Sequence, residues 1–194
     1  MNTRQGKIER NTKETAIRVE LSLDGGDSAI NTGVGFFDHM LSQVARHGNL
    51  GLVIEAKGDL HVDCHHTAED VGIALGQALR AALGDFSGIC RYGSALVPMD
   101  EALALCAIDC CNRAGAYVDN PFTTAKIGEL DVEMIPEFFR ATAANAGINI
   151  HILVYRGVNN HHIAEAMFKS FGRALKDAVS RTQNTDILST KGVL

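Results

Sequence analysis

Tryptophan is absent from the 194-residue chain, proline occurs three times, and aromatic residues make up only 6% of it. So little proline leaves room for long regular elements, and so few large rings mean that small and aliphatic side chains must fill the core. The five cysteines include no Cys-x-x-Cys pair, and Cys106, Cys110 and Cys111 crowd into one apolar stretch. An odd count in that pattern excludes a disulfide scaffold; it predicts small core residues in a reducing compartment, hence a cytoplasmic protein. The longest apolar run, Ala102 to Ile108, is far short of the roughly 18 residues of a membrane-spanning helix, and Met1 to Lys7 leads into charge rather than an apolar signal core. No membrane partner is expected. Basic residues are also in deficit, 18 Lys and Arg against 23 Asp and Glu, for a net charge of -5. That balance argues against a nucleic-acid partner held on a basic face but leaves room for a local cationic pocket. A hydrophobic fraction of 46% over this length fits one fused domain spanning residues 1–194.

The chain is unusual in its histidines. There are eight, and four form the adjacent pairs His65-His66 and His161-His162. Around them the periodicities predict strands at 16–23, 28–32 and 50–56 and helices at 37–47 and 67–83, then strands near 95–97, 102–110 and 117, a helix at 135–145, a strand at 148–154 and a helix at 163–179. Gly48, Gly84 and Gly147 are the expected helix stops. Placing 65–83 on 161–179 pairs His65 with His161, His66 with His162, Glu69 with Glu165 and Gly76 with Gly172. An internal repeat of about 1–92 and 93–180, followed by a polar tail at 181–194, predicts an α+β fold of two half-domains, each a sheet covered on one face by helices.

Each copy reads His-His-x-x-Glu. In a helix the first His and the Glu are four residues apart, one above the other, so they can share one metal ion. The second His is rotated by about 100° and faces another ion or another partner. Four imidazoles and two carboxylates, with no Cys-x-x-Cys pair of thiolates, suit Mn, Fe, Co or Zn. His39 could complete a shell while Asp38 or Asp63 orients a ligand, whereas His47 and His61 lack a paired carboxylate and read as structural.

Gly35-Phe36-Phe37-Asp38-His39-Met40-Leu41, Asp63-Cys64-His65-His66-Thr67-Ala68-Glu69-Asp70, Asn160-His161-His162-Ile163-Ala164-Glu165-Ala166 and Ser189-Thr190-Lys191-Gly192 together resemble the signature segments of the imidazoleglycerol-phosphate dehydratase family. The resemblance implies a duplicated ribosomal-protein-S5-domain-2-like fold and a homo-oligomer of 24 subunits with active sites at subunit interfaces, each holding two Mn²⁺ ions. It implies one ion on His39, His66, His161 and Glu165 and the other on His65, Glu69 and His162, with Glu14 and Glu165 as catalytic groups. Substrate phosphate falls to Gln43, Arg91, Arg113, Lys169, Ser189, Thr190 and Lys191, with Glu14 also on the substrate and the tail completing the site. Lys169, eight residues after His161 on one helix, projects from nearly the metal face on spacing alone.

The implied reaction is a hydro-lyase step of histidine biosynthesis. D-erythro-1-(imidazol-4-yl)glycerol 3-phosphate loses water to give 3-(imidazol-4-yl)-2-oxopropyl phosphate, through a metal-stabilised imidazolate and a diazafulvene. Asp63, Asp100 and Glu101 are weaker acid-base candidates. Two departures from the family pattern stand out: Glu137 in Pro136-Glu137-Phe138-Phe139 replaces a ligand His, and Asn112 and Ala114 flank Arg113 where Gly and Pro are usual. Glu137 could ligate through oxygen, or water could finish the shell. The residues by themselves also admit a dinuclear hydrolase of a small phosphorylated compound or a metal-storage protein.

Overall fold

A computed structural model describes residues 4–183 and 186–192. Residues 184, 185, 193 and 194 of the tail lie outside the described residues. The chain opens with β1 (Gln5–Asn11), antiparallel to β2 (Thr15–Ser22). β2 alternates as expected, with Ile17, Val19 and Leu21 buried. Periodicity misses β1 because its inward positions are Gly6, Ile8 and Arg10, and only one of these is apolar and strand-forming. Gly6 is there for proximity: a Cβ on it would lie 2.0 Å from the Ala78 carbonyl oxygen.

Next come β3 (Ser28–Asn31), α1 (Gly35–Gly48), β4 (Gly51–Gly58) and α2 (His65–Leu83). β3 runs parallel to β4 and β2 antiparallel to it, giving the order β1-β2-β4-β3. The second half has β5 (Tyr92–Met99), β6 (Ala102–Asp109), β7 (Gly115–Val118), α3 (Met134–Ala146), β10 (Asn149–Arg156) and α4 (Asn160–Ala178). Its order is β5-β6-β10-β7 with the same pairing senses. A small hairpin, β8 (Lys126–Ile127) with β9 (Leu130–Asp131), is inserted before α3. The duplicated α+β architecture expected from the repeat is the one observed. Helices stop where left-handed residues permit: at Asn49, one residue beyond the expected Gly48, and at Gly147, where φ is 71°.

The helices lie between the sheets, α2 against β1 and β2, α4 against β5 and β6. Across the middle α1 packs on α4 and α2 on α3. Gly76 and Gly172, paired in the sequence repeat, sit at these two crossings. A Cβ on Gly76 would meet the Thr142 oxygen at 2.6 Å and the Ala146 nitrogen at 3.1 Å; one on Gly172 would meet the Val44 oxygen at 2.9 Å and the Gly48 nitrogen at 3.1 Å. Around the crossings Phe37, Phe138, Phe139, Phe168 and Phe171 form the buried aromatic centre. All five cysteines are free thiols, and burial pushes the Cys110 thiol up to about 12.

The two outer faces differ. The first sheet shows solvent Lys7, Arg18, Glu20 and Glu55 in ion pairs, whereas the second shows Tyr92, Leu96, Leu153 and Tyr155. Among the described residues no helix is long and apolar enough to cross a membrane.

Candidate metal centre

The start of α4 is held by Asn159, whose side-chain oxygen accepts the backbone N–H groups of His161 and His162. His161 therefore lies one turn before Glu165, its Nε2 3.8 Å from Oε1. The α1–α4 packing brings His39 to the same oxygen, with Nε2 at 2.7 Å. Ligand atoms of His39, His161 and Glu165 all fall within 4.8 Å of one another, a group able to hold one ion. Glu165 is buried, and Lys169 Nζ donates to its other oxygen at 2.8 Å. Burial pushes this carboxyl up, but the hydrogen bonds from Lys169 and His39 outweigh it and hold the group below its usual range. Gln43 stands 3.5 Å from His39 Nδ1, and the Phe36 ring meets His161 edge-on, centroids 5.0 Å apart.

The second histidine of each pair is gripped at Nδ1. His162 Nδ1 lies 2.7 Å from Glu101 Oε2, while Glu101 Oε1 accepts the N–H groups of Val158 and Asn159. These contacts, the His162 bond foremost, bring the Glu101 carboxyl down to about 2. His66 Nδ1 lies 3.0 Å from Asp59 Oδ2. The same bonds raise both imidazoles above their ordinary value. On the opposite nitrogen, His66 Nε2 is 3.8 Å from Glu14 and His162 Nε2 is 3.7 Å from Asp100. Sequence reasoning offered Asp38 or Asp63 as the orienting carboxylate, and the structure corrects this. Asp38 Oδ1 accepts from the Thr32 N–H and hydroxyl, and Asp63 Oδ1 accepts from the His65 N–H, so both hold the chain where it enters a helix, while Asp59 and Glu101 meet the ring nitrogens. Asp59 was missed because a loop separates it from the motif, and no periodicity relates loop residues to a helix face.

At the start of α2, His65 Nε2 is 3.8 Å from Glu69. Among the described residues no recorded contact joins this pair or His66 to the α4 group. Glu137 accepts from Arg140 Nε at 2.9 Å. Its place is nonetheless telling: the shift that carries Val44 to Thr142 and Gly48 to Ala146 at the helix crossings carries His39 to Glu137. Glu137 thus stands on α3 beside α2 as His39 stands on α1 beside α4.

The phosphate candidates divide into two sets. Gln43 and Lys169 flank the α4 group, as above. Arg91 lies at the other end of β5 from Asp100 and Glu101, a strand length of about 25 Å. There it makes a two-pronged pair with Asp109, Nε at 2.8 Å and Nη2 at 3.2 Å, and donates to the Leu188 carbonyl of the tail. Arg113 is exposed nearby, 3.9 Å from Asp109, beside Asn112 in a left-handed conformation. Ser189 to Gly192 form a turn in which the Ser189 hydroxyl accepts the Lys191 N–H and the Ser189 carbonyl the Gly192 N–H; Thr190 is exposed.

A duplicated α+β frame carrying imidazole–carboxylate groups at the starts of two matching helices defines a candidate metalloenzyme. A family profile described as imidazoleglycerol-phosphate dehydratase matches residues 32–175. The imidazoleglycerol-phosphate dehydratase of Desulforamulus reducens is 55% identical over the full length of both chains, and that of Ruminiclostridium cellulolyticum is 55% identical over 98% of this chain and all of its own. Among solved structures, the dehydratase of Staphylococcus aureus superposes with a TM-score of 0.84 at 40% identity, covering 92% of this chain and 99% of that one. The Pyrococcus furiosus structure, in complex with (S)-C348, gives 0.85 at 40% identity, covering 96% and 100%. The chain belongs to the imidazoleglycerol-phosphate dehydratase family, a family of hydro-lyases.

Proposed function

We propose that the chain is a Mn²⁺-dependent, cytoplasmic hydro-lyase of histidine biosynthesis. It converts D-erythro-1-(imidazol-4-yl)glycerol 3-phosphate into 3-(imidazol-4-yl)-2-oxopropyl phosphate. The observation that carries the metal dependence is the group of His39, His161 and Glu165 within 4.8 Å, set in a repeat whose other half supplies His65 and Glu69. The donor set fits a divalent ion. It mixes imidazole nitrogen with carboxylate oxygen, and its one buried carboxylate stays anionic. One ion would take His39, His161 and Glu165 with His66, and a second would take His65, Glu69 and His162, with Glu137 offering oxygen where the family has a further imidazole.

Bound divalent ions would supply Lewis acidity that favours the substrate's imidazolate, whose electrons can expel the side-chain hydroxyl by way of a diazafulvene. The chain's own groups handle protons and phosphate. Glu14, exposed on the β1–β2 turn beside His66 Nε2, takes and returns protons at the reacting carbons, and Glu165 shares that role. Arg91, Arg113, Lys169, Gln43, Ser189, Thr190 and Lys191 clasp the phosphate, the arginines through paired N–H groups.

Self-association completes the site. Arg91 and the tail lie about a strand length from the chain's own α4 group, too far to hold the two ends of one small substrate. The exposed apolar side chains on the second sheet suit burial against other copies, in an assembly proposed to contain 24 subunits. Within each copy the halves 1–92 and 93–180 act as one fused domain, with 181–194 reaching the substrate. The test is an assay of the Mn²⁺-loaded protein with imidazoleglycerol phosphate, reading the ketone by its enolate absorbance in base. Turnover abolished by chelation supports the reading. Release of inorganic phosphate instead of the phosphorylated ketone would replace it with a hydrolase.

A further inference from the structure

The turns that open the two sheets hold matching residues with different surroundings. Gly6 and Gly93 occupy the same place: a Cβ on either would lie 2.0 Å from a carbonyl oxygen of the helix behind it, that of Ala78 or Ala174. The shift that relates them also carries Glu14 to Glu101, each the residue immediately before the second strand of its sheet. Yet Glu14 faces the Nε2 side of His66, whereas Glu101 faces the Nδ1 side of His162. Glu14 is exposed on its turn. Both oxygens of Glu101 are committed: Oε2 to the imidazole, Oε1 to two backbone N–H groups just ahead of α4.

In the first half the Nδ1 position is filled from elsewhere. Asp59, directly after β4, reaches His66 Nδ1 with oxygens at 3.0 and 3.2 Å. The matching connection before α4 reads Gly157-Val158-Asn159 and holds no carboxylate. So the two halves reach the same imidazole geometry by different means. A carboxylate accepting Nδ1–H fixes the neutral ring in the tautomer whose Nε2 carries the lone pair.

We propose that Asp59 and Glu101 are positioning residues that hold His66 and His162 with Nε2 aimed at the metal site, and that Glu101 has left the proton-transfer role its twin Glu14 retains. The inference rests on the proposed metal dependence. It assigns Glu101 to orientation rather than to acid-base chemistry. Asp59 is the cleaner probe, since its carboxylate meets the His66 ring, whereas Glu101 also accepts two backbone N–H groups just ahead of α4, where ligand positioning and folding are harder to separate.

The experiment measures Mn²⁺ affinity of the full chain by calorimetry for the unsubstituted protein, Asp59→Ala, Asp59→Asn, Glu101→Gln and Glu14→Gln, with thermal unfolding of each metal-free protein alongside. Asp59→Ala is expected to weaken Mn²⁺ binding by about 10–100-fold with an unchanged metal-free unfolding midpoint. Asp59→Asn and Glu101→Gln, which keep an acceptor oxygen for Nδ1–H, should lose less. Glu14→Gln should bind Mn²⁺ as the unsubstituted protein does. Unaltered affinity in both Asp59 variants would overturn the proposal while leaving the metal dependence standing. Failure of the unsubstituted chain to bind Mn²⁺ would overturn the metal dependence itself. If Asp59→Ala does not fold, Asp59→Asn decides: affinity restored relative to Asp59→Leu, which has no acceptor, supports an acceptor role, and equal loss in the two refutes it.

Discussion

At the scale of single residues, Glu14 and Glu165 illustrate how environment sorts chemically similar groups. Glu165 is buried and tied to Lys169 and His39, so its charge is available for ligation, while Glu14 is exposed and next to a site imidazole. Glu14→Gln is therefore expected to lower kcat by about 10²–10⁴-fold. A steady-state assay at saturating Mn²⁺ checks it; a kcat within about twofold of the unsubstituted enzyme would remove Glu14 from the chemistry. A second residue-scale prediction concerns Asp24, which Arg4 clasps through Nε and Nη2 and Arg181 approaches at 3.4 Å. The Arg4 hydrogen bond, opposed by partial burial, lowers the Asp24 carboxyl from 3.8 to about 2. Because the folded value is the lower one, the contribution is present above the ordinary carboxyl value and lost as pH falls through about 2. Asp24 is 36% exposed and its charge is screened by solvent, so the pair is worth under about 1 kcal/mol. Urea titrations should show the unsubstituted protein more stable than Asp24→Asn at pH 6, with the gap closing below about pH 4.

The histidine and glutamate positions were legible at this scale because His-His-x-x-Glu is local and helix geometry turns its spacing into a shared face. Asp59 and Glu101 were not legible as partners of imidazoles, since loops and strand turns intervene.

Among the elements, the helices and the inner strands follow from periodicity, and β1 does not, because close approach to α2 replaces apolar side chains there with Gly6. The same logic governs the helix crossings. Gly76→Ala would push a methyl group into the Thr142 carbonyl of α3, and Gly172→Ala into the Val44 carbonyl of α1. Each is expected to cost about 1–3 kcal/mol, seen as a fall in Tm of several degrees. Gly35→Ala, at the first position of α1 with no atom within 4 Å of the added Cβ, is the control and should leave Tm nearly unchanged. Equal Tm values for Gly76→Ala and Gly35→Ala would show that the α2–α3 contact yields without penalty. The paired glycines were visible as identities in the repeat, but their meaning needed the crossing, which no single-helix pattern encodes.

For the whole molecule, the separation of the α4 group from Arg91 predicts complementation between copies. His161→Ala and Arg91→Ala should each be inactive alone. Dissociated, mixed in equal amounts and reassembled with Mn²⁺, they should regain about a quarter of full activity, because one site in four draws both intact ends from different copies. An inactive mixture that has demonstrably co-assembled would place both ends of the site in one copy. The asymmetry of the outer faces, charged on one sheet and rich in Tyr and Leu on the other, was latent in the alternation of β5 and β10. It became readable only once register showed which alternate residues point away from the helices.

The unequal provenance of the two Nδ1 partners also limits how far the two halves are interchangeable. The His-His-x-x-Glu helices and the crossing glycines occupy matching places in both halves, so exchanging these elements between the halves would leave the frame intact. The Asp59 and Glu101 contacts do not match, so a chain built of two first halves would hold both imidazoles through Asp59, and one built of two second halves would hold both through Glu101. Two identical half-chains would accordingly reproduce the frame and the metal-binding motif, but not the division of labour between Glu14 and Glu101.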